Sequence, residues 1–241
     1  MQEPEAANHP PKPKVIILDV YETLLNMSDV ERKVNTLLDS GKGYMLWFEM
    51  FQQYLFVENC LGQFSNFVTI AKATMQMTAQ KMGRQVREDD IEFVLELLKH
   101  LPVHDQVQEG LSELNDLGYR IAALTNSPEN VVYERMEPTG LISYFEYVLS
   151  ADKIKKYKPC IEVYEWAVKK LGVEKEETML VSAHGWDIAG AAKAGLQTAY
   201  LKQNRQMLYP LAPAPRLVCT SLTDLAAQLS SYAGRSQVNV L

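Results

Sequence analysis

Four groups of polar residues in this chain have the types and positions that chemistry on a small ligand requires. Asp19 with Thr23 follows the apolar run "VIIL"; Thr125, Asn126 and Ser127 close "YRIAALTNS". Ser182, His184 and Asp187 lie in "VSAHGWD", and Lys158 sits in a loop before a helix. A carboxylate at the end of a strand buried on both faces meets solvent or a ligand, which makes Asp19 a candidate reactive group. Each residue also has an ordinary explanation. Asp19 or Asp187 would cap a helix, Thr23 would close a turn, and Asn126-Ser127 before Pro128 would start a helix. Lys158-Pro159 would be a solvated loop. What sets the four apart is that parallel strands bring their carboxyl ends to one edge, so the groups would converge.

The elements that must do this are legible. Val15, Ile16, Ile17 and Leu18 lack polar alternation, as a central parallel strand does. From residue 105 onward, strand and helix alternate: "YRIAALTNS", "FEYVLSAD", "ETMLVSAH", "QTAYLK" and "RLVCTSL" are strands with helical segments between them. That alternation predicts an α/β fold, a doubly wound parallel sheet of Rossmann-like type. Between the first strand and the rest lie four helical segments and no convincing strand. In "MSDVERKVNTLLDS", Ser28 is the expected N-cap with Glu31 completing a capping box. "REDDIEFVLELLKHLP" carries acids in its first turn, where the helix dipole favours them. The expected division is a mobile tail over 1–13, a core of 14–26 and 105–232, and a helical cap over 27–104 inserted after the first strand.

Composition excludes several roles. The net charge is −6 and 47% of residues are hydrophobic, which suits a sizeable core and gives no basic face for nucleic acid. Cys60, Cys160 and Cys219 fit neither a disulfide framework nor a zinc spacing, so a reducing, cytoplasmic setting is expected. No apolar run is long enough to span a membrane, and "MQEPEAANHPPKPK" is no secretory signal. A small-molecule partner remains.

"DVYETLLN", "LTNS", "YKPCIEVYEWA" and "VSAHGWDIAGAAKAGLQTAYL" resemble, in order and spacing, the four motifs of the haloacid dehalogenase superfamily. They are most similar to its L-2-haloacid dehalogenase (type II) branch. The resemblance spans residues 14–230, cap included. It implies hydrolysis of a carbon–halogen bond in a small 2-haloacid through an ester on Asp19. Thr23 would orient that carboxylate, Lys158 would neutralise charge around it, and Asp187 would pair with Lys158 and help position water. Tyr21, Thr125, Asn126, Ser182 and His184 would line the pocket, with Tyr164 supporting it, although "VYEWAV" is equally an apolar helix face. Phosphatases of the superfamily carry an acid where this chain has Tyr21, and the shortage of acids near Asp187 argues for chemistry without metal or other cofactor. A magnesium-dependent phosphatase, or an inactive relative, is the alternative. Two residues depart from the pattern. Glu22 stands where the family usually has Gly, and Phe48 where its cap helix carries an Arg for the halide and the substrate carboxylate. Phe48 alone is also ordinary core packing. Related dehalogenases are dimers, and "YMLWFEMFQQYLFVENCL" is apolar around most of its circumference, so a homodimer through this helix is expected.

Overall fold

The computed structural model describes residues 11–235, so most of the expected tail (1–10) lies outside the described residues. Strand β1 (Val15–Leu18) leads into α1 (Ser28–Leu37), α2 (Gly43–Leu61), α3 (Phe67–Lys81) and α4 (Glu88–Leu97). Then follow α5 (Val107–Asp116), β2 (Arg120–Thr125), α6 (Glu129–Met136), β3 (Tyr147–Ser150) and α7 (Ile161–Leu171). The chain continues through β4 (Thr178–Ser182), α8 (Gly185–Ala194), β5 (Gln197–Leu201), β6 (Leu217–Cys219) and α9 (Leu222–Arg235). The six strands form one sheet in the order β3-β2-β1-β4-β5-β6, and every pairing is parallel. This is the doubly wound α/β core with a helical insertion after its first strand.

β1 is central because both its faces are apolar. Ile16 and Leu18 join a large core with α5, α9 and the inserted helices, while Val15 and Ile17 pack under α7 and α8. Burying each such side chain stabilises by about 1.5–3 kcal/mol relative to leaving it exposed. The strand order reverses between β1 and β4, which is where a crevice opens in sheets of this kind.

The insertion is tied to the sheet by packing and by backbone contacts. Asn59 of α2 accepts from Tyr157 N at 3.0 Å and donates to Tyr157 O at 2.7 Å, one residue before Lys158. One expectation is corrected at α1. Ser28 is its first helical residue, and no side chain caps the helix at Met27. Asn26 instead accepts from both the amide and the hydroxyl of Ser28, at 2.8 and 2.5 Å, because an Asx turn two residues earlier competes for the same donors. α2 is less bare than its sequence suggests. Tyr44, Trp47, Phe51 and Leu55 are buried, and Met45 and Leu61 are its exposed large apolar residues. Among the described residues, no helix is long and apolar enough to cross a membrane.

Candidate active site

Asp19 leaves β1 at the carboxyl edge of the sheet, and the next turn folds back over it. Glu22 takes a left-handed φ of 58°, a conformation that disfavours a side chain, and the turn closes through Leu24 N and Leu25 N donating to Val20 O. This brings Thr23 round to donate to Asp19 Oδ2 at 2.8 Å. Thr23 itself is fixed from β4, because Ala183 N donates to its hydroxyl at 3.0 Å.

Lys158 supplies the positive charge from the opposite side. Its Nζ lies 2.8 Å from Asp19 Oδ1 and 2.7 Å from Asp187 Oδ2. Asn126 clamps the Lys158 backbone at both ends, accepting from its N at 2.7 Å and donating to its O at 3.3 Å. Asp187, in the first turn of α8, accepts from the Tyr164 hydroxyl at 2.5 Å through its other oxygen. α8 can approach α7 this closely because residue 190 is glycine: a Cβ there would fall 2.6 Å from Pro159 Cβ and 2.7 Å from Tyr164 Oη.

The charges follow from these contacts. Burial pushes the Asp19 pKa up, but the Lys158 ammonium, the nearby His184 and hydrogen bonds from Lys158 and Thr23 outweigh it and hold it below the usual value. Burial lowers the Lys158 pKa, and Asp187 and Asp19 more than restore it. Asp19 is thus an ionised, oriented carboxylate in a dry place. Its ammonium partner lies between the two acids, and both Asp187 oxygens have donors. Among the described residues no group of three or more His, Cys, Asp or Glu could hold a metal ion.

On a third side stands His184, with Nε2 3.6 Å from Asp19 Oδ2 and Nδ1 3.8 Å from Glu22 Oε2. Its Nε2 also lies 3.3 Å from Tyr21 O, and its buried Nδ1 makes no hydrogen bond among the described residues. The ring stacks on Trp186, centroids 5.0 Å apart. Glu22 accepts from the Tyr44 hydroxyl at 2.9 Å and from Gln206 Nε2 at 2.7 Å. Burial, only partly offset by His184 and these donors, raises its pKa. His184 and Glu22 thus stand side by side next to Asp19, with no hydrogen bond between them.

These groups open on a cavity lined by Asp19, Tyr21, Thr125, Asn126, Lys158 and His184 below, and by Trp47, Phe48, Phe51, Phe67 and Trp186 around it. Of the residues singled out in the sequence, Thr23, Tyr164, Ser182 and Asp187 stand behind the cavity wall. Ser182 accepts from His184 N at 3.1 Å and shapes that turn. Thr125 accepts from Ser127 N at 3.1 Å, and its hydroxyl hydrogen remains available. Phe48 lies in the wall, 5.4 Å from Tyr44 and 6.2 Å from His184 between ring centroids. No cation from α1 replaces the arginine: Arg32 pairs with Asp29 and Lys33 lies over Phe93. Trp186, Tyr44 and Gln206 were not singled out from sequence. Only Trp186, inside the "AHGWD" stretch, carried a signal that could have found it.

A model of the family described as haloacid dehalogenase-like hydrolase matches residues 13–195. (S)-2-haloacid dehalogenase 4A from Burkholderia cepacia is 27% identical over 88% of this chain and 93% of its own. The (S)-2-haloacid dehalogenase of Pseudomonas sp. (strain YL) is 24% identical over 93% of this chain and 97% of its own. Among solved structures, the L-2-haloacid dehalogenase of Xanthobacter autotrophicus with chloropropionic acid covalently bound is 20% identical. It superposes with a TM-score of 0.81 over 90% of this chain and 98% of that one.

Proposed function

We propose, from the premise that this chain belongs to the haloacid dehalogenase-like hydrolase family, that it hydrolyses the carbon–halogen bond of a small 2-haloacid. The observation that carries the reading is Asp19, ionised at the floor of an aromatic-walled cavity with Lys158 and Thr23 on its two oxygens. In this reading a carboxylate oxygen of Asp19 attacks C2, and the carbon–halogen pair leaves on the halide. A halide departs without a proton, which suits a site with Tyr21 where a general acid would stand. Water then adds to the resulting ester carbonyl, and the 2-hydroxyacid leaves with one of its protons as the Asp19 carboxylate reforms and the other proton passes to solvent.

The water-activating group best supported by geometry is His184. Asp187 is committed to Lys158 and Tyr164, whereas His184 faces Asp19 with Glu22 behind it. In the tautomer with its proton on Nδ1, toward Glu22, His184 would take the water proton at Nε2 and return it to the departing alkoxide, with Glu22 beside the imidazolium. Thr125 would bind the substrate carboxylate, Asn126 would hold the Lys158 backbone, and Asp187 with Tyr164 would hold the Lys158 side chain. Phe48 and Tyr21 would shape the pocket.

The same reading divides the chain into a core of 14–26 and 105–232 and a cap of 27–104. It also takes the protein as a cytoplasmic homodimer joined through α2, in keeping with three free cysteines and the exposed Met45 and Leu61. Light scattering at micromolar concentration tests the dimer. The function is tested by single turnover of 2-chloropropionate in heavy-oxygen water with a chelator present. The first hydroxyacid formed should carry light oxygen from Asp19. Heavy oxygen in that first product, or turnover only with added magnesium, overturns the proposal.

A further inference from the structure

Arg135 of α6 is 4% exposed, yet no acid pairs with it among the described residues. Among the described residues its only hydrogen bond is a long one, Nη1 to Ser127 Oγ at 3.5 Å, and its buried Nε finds no acceptor. Burial, opposed by no nearby acid, lowers its pKa to about 9, so the side chain still carries its charge at neutral pH. Packing alone gives no reason to keep it, since an apolar residue of similar volume would be neutral or stabilising at such a position.

Its contacts run toward the cavity. The guanidinium carbon lies 4.8 Å from the centre of the Tyr21 ring. Ser127, which accepts from Arg135, donates to the Tyr21 hydroxyl at 2.9 Å. The polarity is the same at each step: Arg135 donates to Ser127, and Ser127 donates to Tyr21. The phenol keeps its own hydrogen, and no described residue accepts it. Tyr21 lines the cavity that holds Asp19, and so does Trp186, whose buried Nε1 also lacks an acceptor. Two residues that line one cavity thus carry a donor with no acceptor among the described residues, the Trp186 Nε1 and the Tyr21 phenol hydrogen, and Tyr21 is backed by a cation that no acid pairs. Buried donors are rarely left so without something to bind them.

We propose that this cavity takes a monovalent anion, the departing halide, at the Tyr21 hydroxyl, and that Arg135 is the positioning residue that polarises this donor through Ser127. The halide assignment rests on the dehalogenase reading above. As the carbon–halogen bond breaks, charge moves from Asp19, where Lys158 answers it, onto an atom facing an aromatic wall. A preorganised donor in a low-dielectric site acts where that charge develops. Arg135, held behind the Tyr21 ring, adds its field without occupying substrate space.

The test compares wild type with Arg135→Met, Tyr21→Phe and the double variant. Two readouts are used: kcat/KM on 2-chloro- and 2-bromopropionate, and sodium bromide and propionate affinity from tryptophan fluorescence without turnover. Arg135→Met should lose about tenfold on the chloro acid and less on the bromo acid, the better leaving group. Bromide should bind about tenfold more weakly, with propionate unchanged. The double variant should be no worse than Tyr21→Phe, and Arg135→Met should melt at or above the wild-type temperature. Equal losses on both acids, additive with Tyr21→Phe and accompanied by a lower melting temperature, would show a structural role and overturn the proposal. Weakened propionate with unchanged bromide would overturn the halide assignment. Should Arg135→Met not fold, bromide affinity of Tyr21→Phe decides alone, and unchanged affinity overturns it. If wild type releases no halide from either acid, the dehalogenase reading fails, while the bromide comparison still decides whether the anion site exists.

Discussion

The floor and the roof of the cavity are built by opposite rules. The floor is polar and assembled from distant parts of the chain: Asp19 after β1 and Lys158 before α7, backed by Asp187 on α8. Each carboxylate oxygen there has a donor within 2.5–2.8 Å. The roof is local and apolar. Trp47, Phe48 and Phe51 come from one helix, where Trp47 and Phe48 pack on Phe51, and Phe51 meets Phe67 of the next helix edge-on at 4.7 Å. A satisfied buried ion network fails when one member goes, because the others are left charged and unpaired. Aromatic contacts are worth only about 0.5–1.5 kcal/mol each beyond their buried area. The floor should therefore carry the chemistry with little tolerance, and the roof should set what enters.

The largest effects should come from the floor. Asp19→Asn removes the nucleophile and should reduce halide release by about 10⁴-fold or more, with fold retained by circular dichroism. Activity within tenfold of wild type would move the chemistry away from this edge. Lys158→Met leaves Asp19 and Asp187 facing each other without a cation, which should cost about 3–5 kcal/mol in urea denaturation. Its pH dependence gives a sharper reading. In wild type the Asp19 pKa is lowered, so its contribution to stability is present above the ordinary carboxylate range and is lost as pH falls through the folded pKa. Without Lys158 the sign reverses, because burial then favours protonated Asp19. The gap between the two proteins should narrow as pH falls from 7 toward 4, and a constant gap would show that the ammonium is not what holds these acids.

How much of this was legible follows the same division. Strands were readable because apolar runs such as "VIIL" and "AALT" end abruptly in polar residues, and parallel alternation placed those ends together. Tyr164 was ambiguous because its helix face is apolar either way. What selects it is the missing Cβ of Gly190 on another helix, which lets its hydroxyl reach Asp187. Arg135 was invisible: in "ENVVYERM" an arginine among charged neighbours resembles any solvated helix face, and only the packing of α6 under Tyr21 buries it. Glu22 stands out in the sequence as an acid in a glycine position, yet its partners Tyr44 and Gln206 lie 22 and 184 residues away, beyond any local pattern.

Glu22 and His184 lie where floor meets roof, and an intermediate effect is expected there. Glu22→Gln keeps the shape but cannot hold an imidazolium, so kcat should fall by about tenfold with the Asp19 ester accumulating in rapid-quench mass spectrometry. Stability should move the other way. Burial raises the Glu22 pKa, so the contribution of this side chain is full below the ordinary glutamate range and is lost as pH rises through the folded pKa. The glutamine variant should therefore melt above wild type at pH 7 and near it at pH 4. Lower kcat with no ester accumulation would place Glu22 before the ester forms and remove His184 from the second step.

The smallest effect is expected in the roof, at Phe48. A substrate carboxylate or halide entering between aromatic rings leaves water, and the Phe48 wall returns no hydrogen bond for that loss. An arginine there would donate charge-assisted bonds worth roughly 1.5–3 kcal/mol each. Against this, Phe48→Arg gives up the stacked contact with Tyr44 at 5.4 Å and sets a cation beside His184 at the same wall. The two tendencies partly cancel, so kcat/KM on 2-chloropropionate should rise by no more than about tenfold. Stability should fall by about 1 kcal/mol from the lost ring contact. The gain should shrink on acids with bulkier tails, which the phenylalanine accommodates and the guanidinium does not. If Phe48→Arg slows the chloro acid while wild type is already fast on it, the roof needs no cation of its own, and the charge the anion meets comes from the floor side.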